Sequence, residues 1–365
     1  MEERARQLSE VDRLYLQRAY ELAARAIGNT SPNPPVGAVV VRDGRIVGEG
    51  YHHRAGDAHA ETWALEEAGS SAHGATAYVS LEPCNHVGRT PPCARNLADA
   101  GVRRVVVGTI DPNPKTNGSG ITFLRERGIE VDVSGDARAG ALIEAFAGSL
   151  TLDRPYVALK MAMSLDGAVS SKPGVRERIS SEAEQRYVRE LRIAYDAVLV
   201  GAGTVRVDDP QLTVRPPHRR LRPFVRIVAC ETDAVARTSL VFAPVDGYAK
   251  TIVLAPAGLQ ARFEDLADVA DLTLVGGARD ERLDLGEALR TLRRRGIYSV
   301  LCEGGPTAAG NLIAAGLVDR FYWAISPLFL HGARAVPVVG AELAGLGRKA
   351  RFDRIERIGE DVMLS

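Results

Sequence analysis

Several features typical of secreted and membrane proteins are missing from this 365-residue chain. It has only four cysteines, too few for a disulfide framework at this length. No apolar run approaches the ~20 residues that a membrane span requires. The charged N-terminus does not resemble an apolar signal region. We therefore expect a cytoplasmic protein with reduced thiols and no membrane partner.

An excess of charge of either sign is also missing. The chain has 46 Lys and Arg against 46 Asp and Glu, so the formal net charge is zero. A neutral protein has no global field that attracts nucleic acid, and we expect a small-molecule substrate and no nucleic-acid partner. A hydrophobic fraction of 45% and a charged fraction of 25% are typical of soluble globular proteins.

The length suits two domains, and the pattern of apolar residues agrees. In the first half, helices are predicted over 8–27, 59–68, 93–100, 123–127 and 141–146, and strands over 36–41, 46–47, 77–81, 105–107 and 129–131. In the second half, strands are predicted over 156–163, 197–200, 225–229, 251–254, 272–275 and 298–302, and helices over 181–194, 285–295 and 307–315. This alternation predicts a helix-covered sheet in residues 1–150 and a second, mostly parallel sheet in residues 151–365.

One imidazole and two thiols stand out in the first half. His59-Ala60-Glu61 is followed by Pro83-Cys84 and by Cys93. His59, Cys84 and Cys93 suit a zinc site with one position left open for water. Glu61 is then the candidate proton carrier, because zinc nucleobase deaminases pair His-x-Glu with a Pro-Cys motif in this way. In those enzymes two residues separate the thiols, whereas eight separate them here.

Other interpretations of these residues remain open. A lone His or Cys is usually a core or surface residue, and Glu61 could simply be a helix N-terminal carboxylate. The chain could be a non-catalytic metal-binding protein, or a nucleic-acid-editing deaminase with an accessory module. Charge neutrality and the long thiol spacing disfavour editing. Cys230 and Cys302 lie in or beside apolar runs and are predicted to be inert core thiols.

The second half has two glycine-rich junctions between a strand and a helix, Gly201-Ala202-Gly203-Thr204 and Glu303-Gly304-Gly305-Pro306-Thr307. Glycines at a helix N-terminus let the backbone approach a phosphate. Neither junction has the complete dinucleotide-binding pattern, so each alone could be only a tight turn.

Taken together, the motifs resemble the bifunctional deaminase/reductase family of riboflavin biosynthesis over nearly the whole chain. In the first half they are Pro32-Asn33-Pro34-Pro35-Val36-Gly37, Gly50-Tyr51-His52, Arg54-Ala55-Gly56, His59-Ala60-Glu61, Leu81-Glu82-Pro83-Cys84-Asn85-His86 and Gly88-Arg89-Thr90-Pro91-Pro92-Cys93. In the second half they are Ser164-Leu165-Asp166-Gly167, the two glycine-rich junctions, Asp208-Asp209-Pro210 and Leu212-Thr213-Val214-Arg215.

The resemblance implies an α/β protein with a cytidine-deaminase-like three-layer αβα domain followed by a dihydrofolate-reductase-like α/β domain. It implies zinc-dependent deamination of a phosphoribosylaminopyrimidine, followed by NADPH-dependent reduction of its ribosyl group. One Zn²⁺ per chain, NADPH and a homo-oligomer, either a dimer or a tetramer, are expected on the same ground.

Site residues also follow from the resemblance. The deaminase substrate is expected at Asn33, His52, His86, Arg89 and Thr90. The cofactor is expected at Met163, Arg178, Thr204, Asp208, Gly304, Gly305, Pro306, Thr307, Ala308, Ala309, Gly310 and Asn311. The reductase substrate is expected at Lys160, Arg176, Arg192, Leu212, Arg215 and Glu303, with Lys160 and Glu303 polarising the sugar.

The chain departs from the family pattern in its second half. Arg176 and Arg178 stand where the family usually has Ser and Trp, and Cys230-Glu231 stands where it has Asp-Ser or Asp-Thr. These changes leave one alternative open, in which the chain is a deaminase only and its reductase-like domain binds without reducing.

Overall fold

The structure is a computed structural model that describes residues 8–86, 91–214, 220–277, 279–340 and 349–365. The chain divides into two compact units, the first ending at Thr151 and the second beginning at Leu152. Among the helices of the described ranges, none is long and apolar enough to cross a bilayer.

The first unit contains six α-helices and five strands in its described part. The helices are α1 (Glu10–Ala26), α2 (Ala60–Ala68), α3 (Cys93–Asp99), α4 (Ser119–Glu126), α5 (Ala137–Leu142) and α6 (Glu144–Thr151). The strands are β1 (Gly37–Arg42), β2 (Arg45–Tyr51), β3 (Thr76–Val79), β4 (Arg104–Val107) and β5 (Glu130–Val133). They form one sheet in the order β2-β1-β3-β4-β5, in which β1 is antiparallel to both neighbours and β3, β4 and β5 are parallel.

Local sequence explains where α1 begins and where the first hairpin turns. Ser9 and Asp12 form a capping box in which each side chain accepts from the other residue's backbone N–H. The β1–β2 hairpin turns at Asp43 and Gly44, which both have positive φ (50° and 73°), as a tight hairpin turn requires.

Successive side chains point to opposite faces of this sheet, and those on both faces are apolar. Val39 and Val41 pack with α1 on one face, whereas Ala38 and Val40 pack with α2, α3 and α4 on the other. Because helices cover both faces, the first unit has the three layers that were predicted.

Two glycines of β2 bring α2 unusually close to the sheet. A Cβ atom on Gly48 would lie 2.1 Å from the carbonyl oxygen of Ala64, and one on Gly50 would lie 2.4 Å from that of Ala60. Real Cβ atoms do not approach this closely, so only glycine permits the contact. The depth of α2 against the sheet, and hence the position of its first turn, depends on these two residues.

The described part of the second unit contains eleven strands, nine of which form one large sheet. Its strands are β6 (Tyr156–Ser164), β7 (Ala168–Ser170), β8 (Ala197–Gly201), β9 (Val225–Ala229), β10 (Ile252–Pro256), β11 (Asp271–Val275), β12 (Ser299–Cys302), β13 (Arg320–Ser326), β14 (Val336–Pro337), β15 (Ile355–Ile358) and β16 (Asp361–Leu364). Its helices are α7 (Glu182–Ala194), α8 (Ala202–Asp208), α9 (Leu285–Arg294) and α10 (Pro306–Ala314). The large sheet has the order β11-β10-β9-β8-β12-β6-β13-β16-β15, and β7 pairs with β14 separately.

The strands from β11 to β13 are parallel, and β16 and β15 add an antiparallel edge. One apolar cluster joins the sheet to α9 and α10 and includes Leu159, Leu199 and Leu292. A second cluster covers the opposite face and includes Phe224 and Phe263. Cys302 belongs to the first and Cys230 to the second, both fully buried, as predicted for core thiols.

Three parts of the observed fold differ from the prediction. The predicted helix over 141–146 is two helices, α5 and α6, which are separated at Ile143. Helix α8 was not predicted, because Gly203 interrupts an already short pattern. Strands β7, β13, β14, β15 and β16 were not predicted either, although β13 pairs with β6 over seven residues.

Candidate active sites

Three candidate sulfur and nitrogen ligands meet in the first unit, two of them at helix starts. His59 is the N-cap residue of α2, Cys93 is the first residue of α3, and Cys84 lies in the segment that follows β3. His59 Nδ1 lies 3.2 Å from Cys93 Sγ and 3.6 Å from Cys84 Sγ. The three donor atoms all lie within 4.8 Å of one another.

This spacing fits tetrahedral zinc. With Zn–N near 2.0 Å and Zn–S near 2.3 Å, tetrahedral angles place a nitrogen ligand about 3.5 Å from a sulfur ligand. The two observed N-to-S distances, 3.2 and 3.6 Å, are close to that value. One imidazole and two thiols leave a fourth position for water or substrate, which a catalytic rather than a structural site requires.

Protons are already unevenly distributed within this cluster. A hydrogen bond from Cys93 lowers the pKa of Cys84 to about 4, despite burial. The hydrogen bond with Cys84 raises the pKa of His59 to about 9. Both pKa shifts favour a thiolate at Cys84 beside an imidazolium at His59. His59 would have to lose this proton in order to hold a cation, because a metal ligand must be deprotonated.

Glu61 lies in the first turn of α2 and is 3% exposed. Burial raises its pKa to about 6, and the positive charge of His59 opposes that effect. A carboxyl group with a pKa near neutrality can both accept and return a proton at physiological pH. The position and the pKa of Glu61 therefore suit proton transfer beside the cluster.

Asn33 and His52 are held together beside the cluster. His52 Nδ1 lies 3.1 Å from the carbonyl oxygen of Ala58, and its Nε2 lies 3.1 Å from Asn33 Nδ2. The carbonyl can only accept, so Nδ1 carries the proton and Nε2 accepts from the Asn33 amide. This assignment leaves Asn33 Oδ1 as an acceptor for a ligand. Burial lowers the pKa of His52, which keeps the ring neutral.

Glu82 was not predicted as a functional residue. It is 3% exposed, and its carboxylate accepts from the backbone N–H groups of Asp111, Gly118, Gly120 and Ile121. It thereby fixes the segment that carries Cys84 to the start of α4. An acidic residue in an otherwise apolar strand exit, two positions before a ligand, is the signal that could have identified it.

The remaining residues predicted for the deaminase substrate are placed less tightly. His86 is exposed, and its Nδ1 lies 3.4 Å from Thr116 Oγ1. Arg89 and Thr90 lie outside the described residues.

The second unit has a cavity of about 660 Å³ at the carboxyl ends of its strands. The cavity brings together most of the residues predicted for the reductase: Lys160, Arg176, Thr204, Asp208, Glu303, Gly304, Gly305, Pro306, Thr307, Ala308 and Asn311. Its volume is typical of a small-molecule or cofactor site.

The two glycine-rich junctions meet on this cavity. The Gly305 backbone N–H donates to Thr204 Oγ1 at 2.8 Å, which links α10 to α8. Asn311 Nδ2 donates to Glu231 Oε1 at 2.6 Å. The N-terminus of α10 begins with Pro306 at the cavity wall, where unpaired backbone N–H groups can bind a phosphate.

Other predicted residues lie away from the cavity wall. Ala309 and Gly310 are buried in α10, and Leu212 is 4% exposed. Met163 Sδ accepts from Trp323 Nε1 at 3.1 Å. Arg178 is exposed and forms an ion pair with Glu182 at 3.2 Å. Arg215 lies outside the described residues.

Helix α7 supplies counter-charges to two residues of the cavity. Lys160 Nζ lies 2.5 Å from Glu184 Oε1. Arg192 binds Glu303 through two hydrogen bonds of 2.6 and 2.7 Å, and it also donates to the carbonyl oxygen of Thr213. Arg192, predicted to contact substrate, therefore reaches the cavity through Glu303.

Family models and relatives agree with these two sites. The model described as the cytidine and deoxycytidylate deaminase zinc-binding region matches residues 9–109, and the RibD C-terminal domain matches residues 155–364. The riboflavin biosynthesis protein RibD of Bacillus amyloliquefaciens is 38% identical over 360 residues, which are 97% of this chain and 96% of the relative. The Escherichia coli protein of the same name is 39% identical over 369 residues, 97% of this chain and 98% of the relative.

The chain belongs to the RibD family. It is a bifunctional enzyme with a deaminase domain and a reductase domain. Solved structures of the RibD family are similar along its whole length. Acinetobacter baumannii RibD, form 1, is 34% identical with a TM-score of 0.80 and covers 97% of this chain and 98% of its own.

The Thermotoga maritima diaminohydroxyphosphoribosylaminopyrimidine deaminase/5-amino-6-(5-phosphoribosylamino)uracil reductase is 33% identical, also with a TM-score of 0.80, and covers 97% of each chain. With these RibD structures, the predicted fold class is confirmed.

Proposed function

We propose that the first unit hydrolyses the 2-amino group of 2,5-diamino-6-(5-phosphoribosylamino)pyrimidin-4(3H)-one and releases ammonia. The Thermotoga maritima relative is named for this class of substrate. His59, Cys84 and Cys93 would hold Zn²⁺, because their donor atoms have the spacing and the chemical type that zinc prefers. Zinc, when bound, lowers the pKa of water towards neutrality.

The residues around the cluster would transfer the protons and bind the substrate. Glu61 takes a proton from water, delivers it to the pyrimidine ring nitrogen, and carries a second proton to the departing amino group. Asn33 Oδ1 orients the pyrimidine, since its amide nitrogen is already committed to His52. His86, Arg89 and Thr90 are proposed for the phosphoribosyl arm.

In the second unit, we propose that NADPH reduces the ribosyl group to ribityl, which yields 5-amino-6-(5-phosphoribitylamino)uracil. The nicotinamide supplies a hydride for the sugar C1′ carbon when it is bound, and the bond from C1′ to the ring oxygen breaks. Lys160 then donates a proton to that oxygen, and Glu303 orients the neighbouring hydroxyls. The first turn of α10 and Thr204 would hold the pyrophosphate.

The observation that carries the deaminase proposal is the juxtaposition of the three ligand atoms with the buried carboxyl group of Glu61. A coupled assay tests both activities: ammonia release and NADPH consumption are followed with the diaminopyrimidine substrate, with and without a chelator. The proposal requires ammonia first, then NADPH oxidation that depends on it. NADPH oxidation that is absent even with the deaminated intermediate would support a deaminase-only protein.

Two further properties belong to this proposal. We expect the enzyme to act in the cytoplasm, where the thiols of Cys84 and Cys93 stay reduced and can bind zinc. We also expect a homo-oligomer, a dimer or tetramer, on the ground of the family resemblance. Light scattering coupled to size-exclusion chromatography measures the mass directly.

A further inference from the structure

A buried carboxylate behind the reductase cavity has no role in the proposed chemistry. Glu184 is 1% exposed and lies on the inward face of α7. Its neighbours on that face, Val188 and Arg192, follow at intervals of four residues, which places all three on one stripe of the helix. An acidic side chain this deeply buried requires a compensating charge.

Lys160 supplies that charge. Its ammonium lies 2.5 Å from Glu184 Oε1, and its side chain is 11% exposed where it lines the cavity. Among the described residues, no other side chain or backbone group donates a hydrogen bond to either carboxylate oxygen of Glu184. Lys160 is therefore the counter-charge that the described residues place at Oε1, and Oε2 has no hydrogen-bond partner among them.

Other charged and titratable groups lie around the Lys160–Glu184 pair. None of them takes the place of Glu184 as the counter-charge of Lys160. They are Arg192 on α7, Glu303 just after β12, Tyr322 on β13, and Arg176 and Asp208 on the cavity wall. The charge of Glu303 is already matched by the two hydrogen bonds from Arg192. A tyrosine hydroxyl is neutral below a pH of about 10. Asp208 lies beside Arg176, whose Nε is 3.8 Å from its carboxylate.

We propose that Glu184 is a positioning residue of the reductase, which keeps Lys160 protonated and holds its ammonium at the cavity wall. Glu184 does not line the cavity and acts only through Lys160. An amine that is partly removed from water loses its proton more easily, and an adjacent carboxylate counteracts that loss. The pair keeps a proton donor available to the sugar oxygen at neutral and mildly alkaline pH.

This inference rests on the proposed reductase function, but its first test needs no turnover. Lys160 in the full-length protein is labelled with an amine-reactive ester at a series of pH values and quantified by peptide mass spectrometry. Lys172, which is exposed on the same cavity, serves as the internal reference for access. The matched variants are Glu184→Gln, Glu184→Asp and, as the control, Glu190→Gln at an exposed position of α7.

We expect Glu184→Gln to raise the labelling of Lys160 relative to Lys172 by about tenfold or more at pH 8, because the ammonium loses the carboxylate that balances its charge. Glu184→Asp should give an intermediate rate, and Glu190→Gln should match the native protein. An unchanged Lys160 rate in a folded Glu184→Gln protein overturns the proposal. If Glu184→Gln does not fold, a native rate in Glu184→Asp overturns it.

The second test is the pH profile of reduction with the deaminated intermediate. For Glu184→Gln the alkaline limb of kcat/KM should move down by about one unit or more, while the Kd for NADPH stays within about twofold. A uniform loss at every pH, with weaker NADPH binding, indicates a merely structural role and overturns the proposal. If Glu184→Gln shifts the labelling of Lys160 but the native enzyme does not reduce the intermediate, the role of Glu184 stands and the proposed reductase function is refuted.

Discussion

The two candidate sites differ in whether their buried charges balance one another. In the first unit, Glu61, His59 and the two thiols converge with more acidic groups than cations, and burial raises the pKa of Glu61. In the second unit, Lys160 is paired with Glu184, and Glu303 is paired with Arg192. The first arrangement is completed by an added cation, whereas the second is already neutral. Metal loss and charge-removing substitutions should therefore affect the two sites differently.

Removal of zinc should have the largest effect and should act on one activity only. We expect ammonia release to disappear in metal-free protein and to return when Zn²⁺ is restored, because water then regains its lowered pKa. Reduction of the deaminated intermediate should be unchanged. Metal content by elemental analysis and both rates are measured on the same samples. Ammonia release that persists in verified metal-free protein would contradict the assignment.

Substitution of Glu61 separates metal binding from proton transfer. Glu61→Gln should lower the rate of ammonia release by about 10²- to 10⁴-fold, since the proton carrier is lost while the shape is kept. Bound zinc should remain stoichiometric. Glu66→Gln, at an exposed position of the same helix, is the matched control and should behave like the native enzyme. A fall in zinc content equal to the fall in rate would show that Glu61 supports the ligands instead.

The neutral arrangement of the second unit is tested by removing one cation. Arg192→Gln leaves Glu303 without its partner, which should lower the free energy of unfolding by about 3–5 kcal/mol. Urea denaturation followed by circular dichroism measures the change. Arg186→Gln, exposed on the same helix, should stay within about 0.5 kcal/mol of the native protein. If the two variants are equally stable, the Arg192–Glu303 pair contributes little and the contrast between the sites is wrong.

The smallest expected effect concerns the support of the zinc cluster. Glu82→Gln offers one acceptor oxygen where the carboxylate has two, so some of the four backbone N–H groups lose a partner. We expect a loss of about 1–3 kcal/mol in the stability of the first unit. Zinc should also dissociate faster to a chelator dye. Glu126→Gln at the exposed end of α4 is the control, and equal dissociation rates in the two variants would refute the supporting role.

Much of the first site could be predicted because its reactive residues occur in short sequence motifs. His59 and Glu61 are two residues apart at a helix start, and Cys84 and Cys93 flank one loop. Several strand boundaries of this unit were also close, since continuous apolar runs mark strands such as β1 and β4. The network of His52, Asn33 and the Ala58 carbonyl was not predictable, because it depends on how two separate loops meet.

The contacts within the second site could not be predicted, because the sheet topology brings together residues that are distant in the sequence. Lys160 and Glu184 belong to a strand and a helix whose pairing is set by the sheet order, and no local spacing records it. Strand β13 has partly buried residues on both faces, so its alternation is weak although it lies inside the sheet. The glycine-rich junctions were recognised, but the hydrogen bond from Gly305 to Thr204 joins segments about a hundred residues apart.

Gly48 and Gly50 carry a consequence for how mutations in this enzyme should be interpreted. Neither residue has any reactive group, yet each admits a carbonyl oxygen of α2 to within 2.4 Å of where a methyl group would stand. An alanine at either position would push that helix outward and shift His59 and Glu61 with it. A genetic screen for lost deamination would then report two inert positions in a strand, because those positions set how far His59 and Glu61 lie from Cys84 and Cys93.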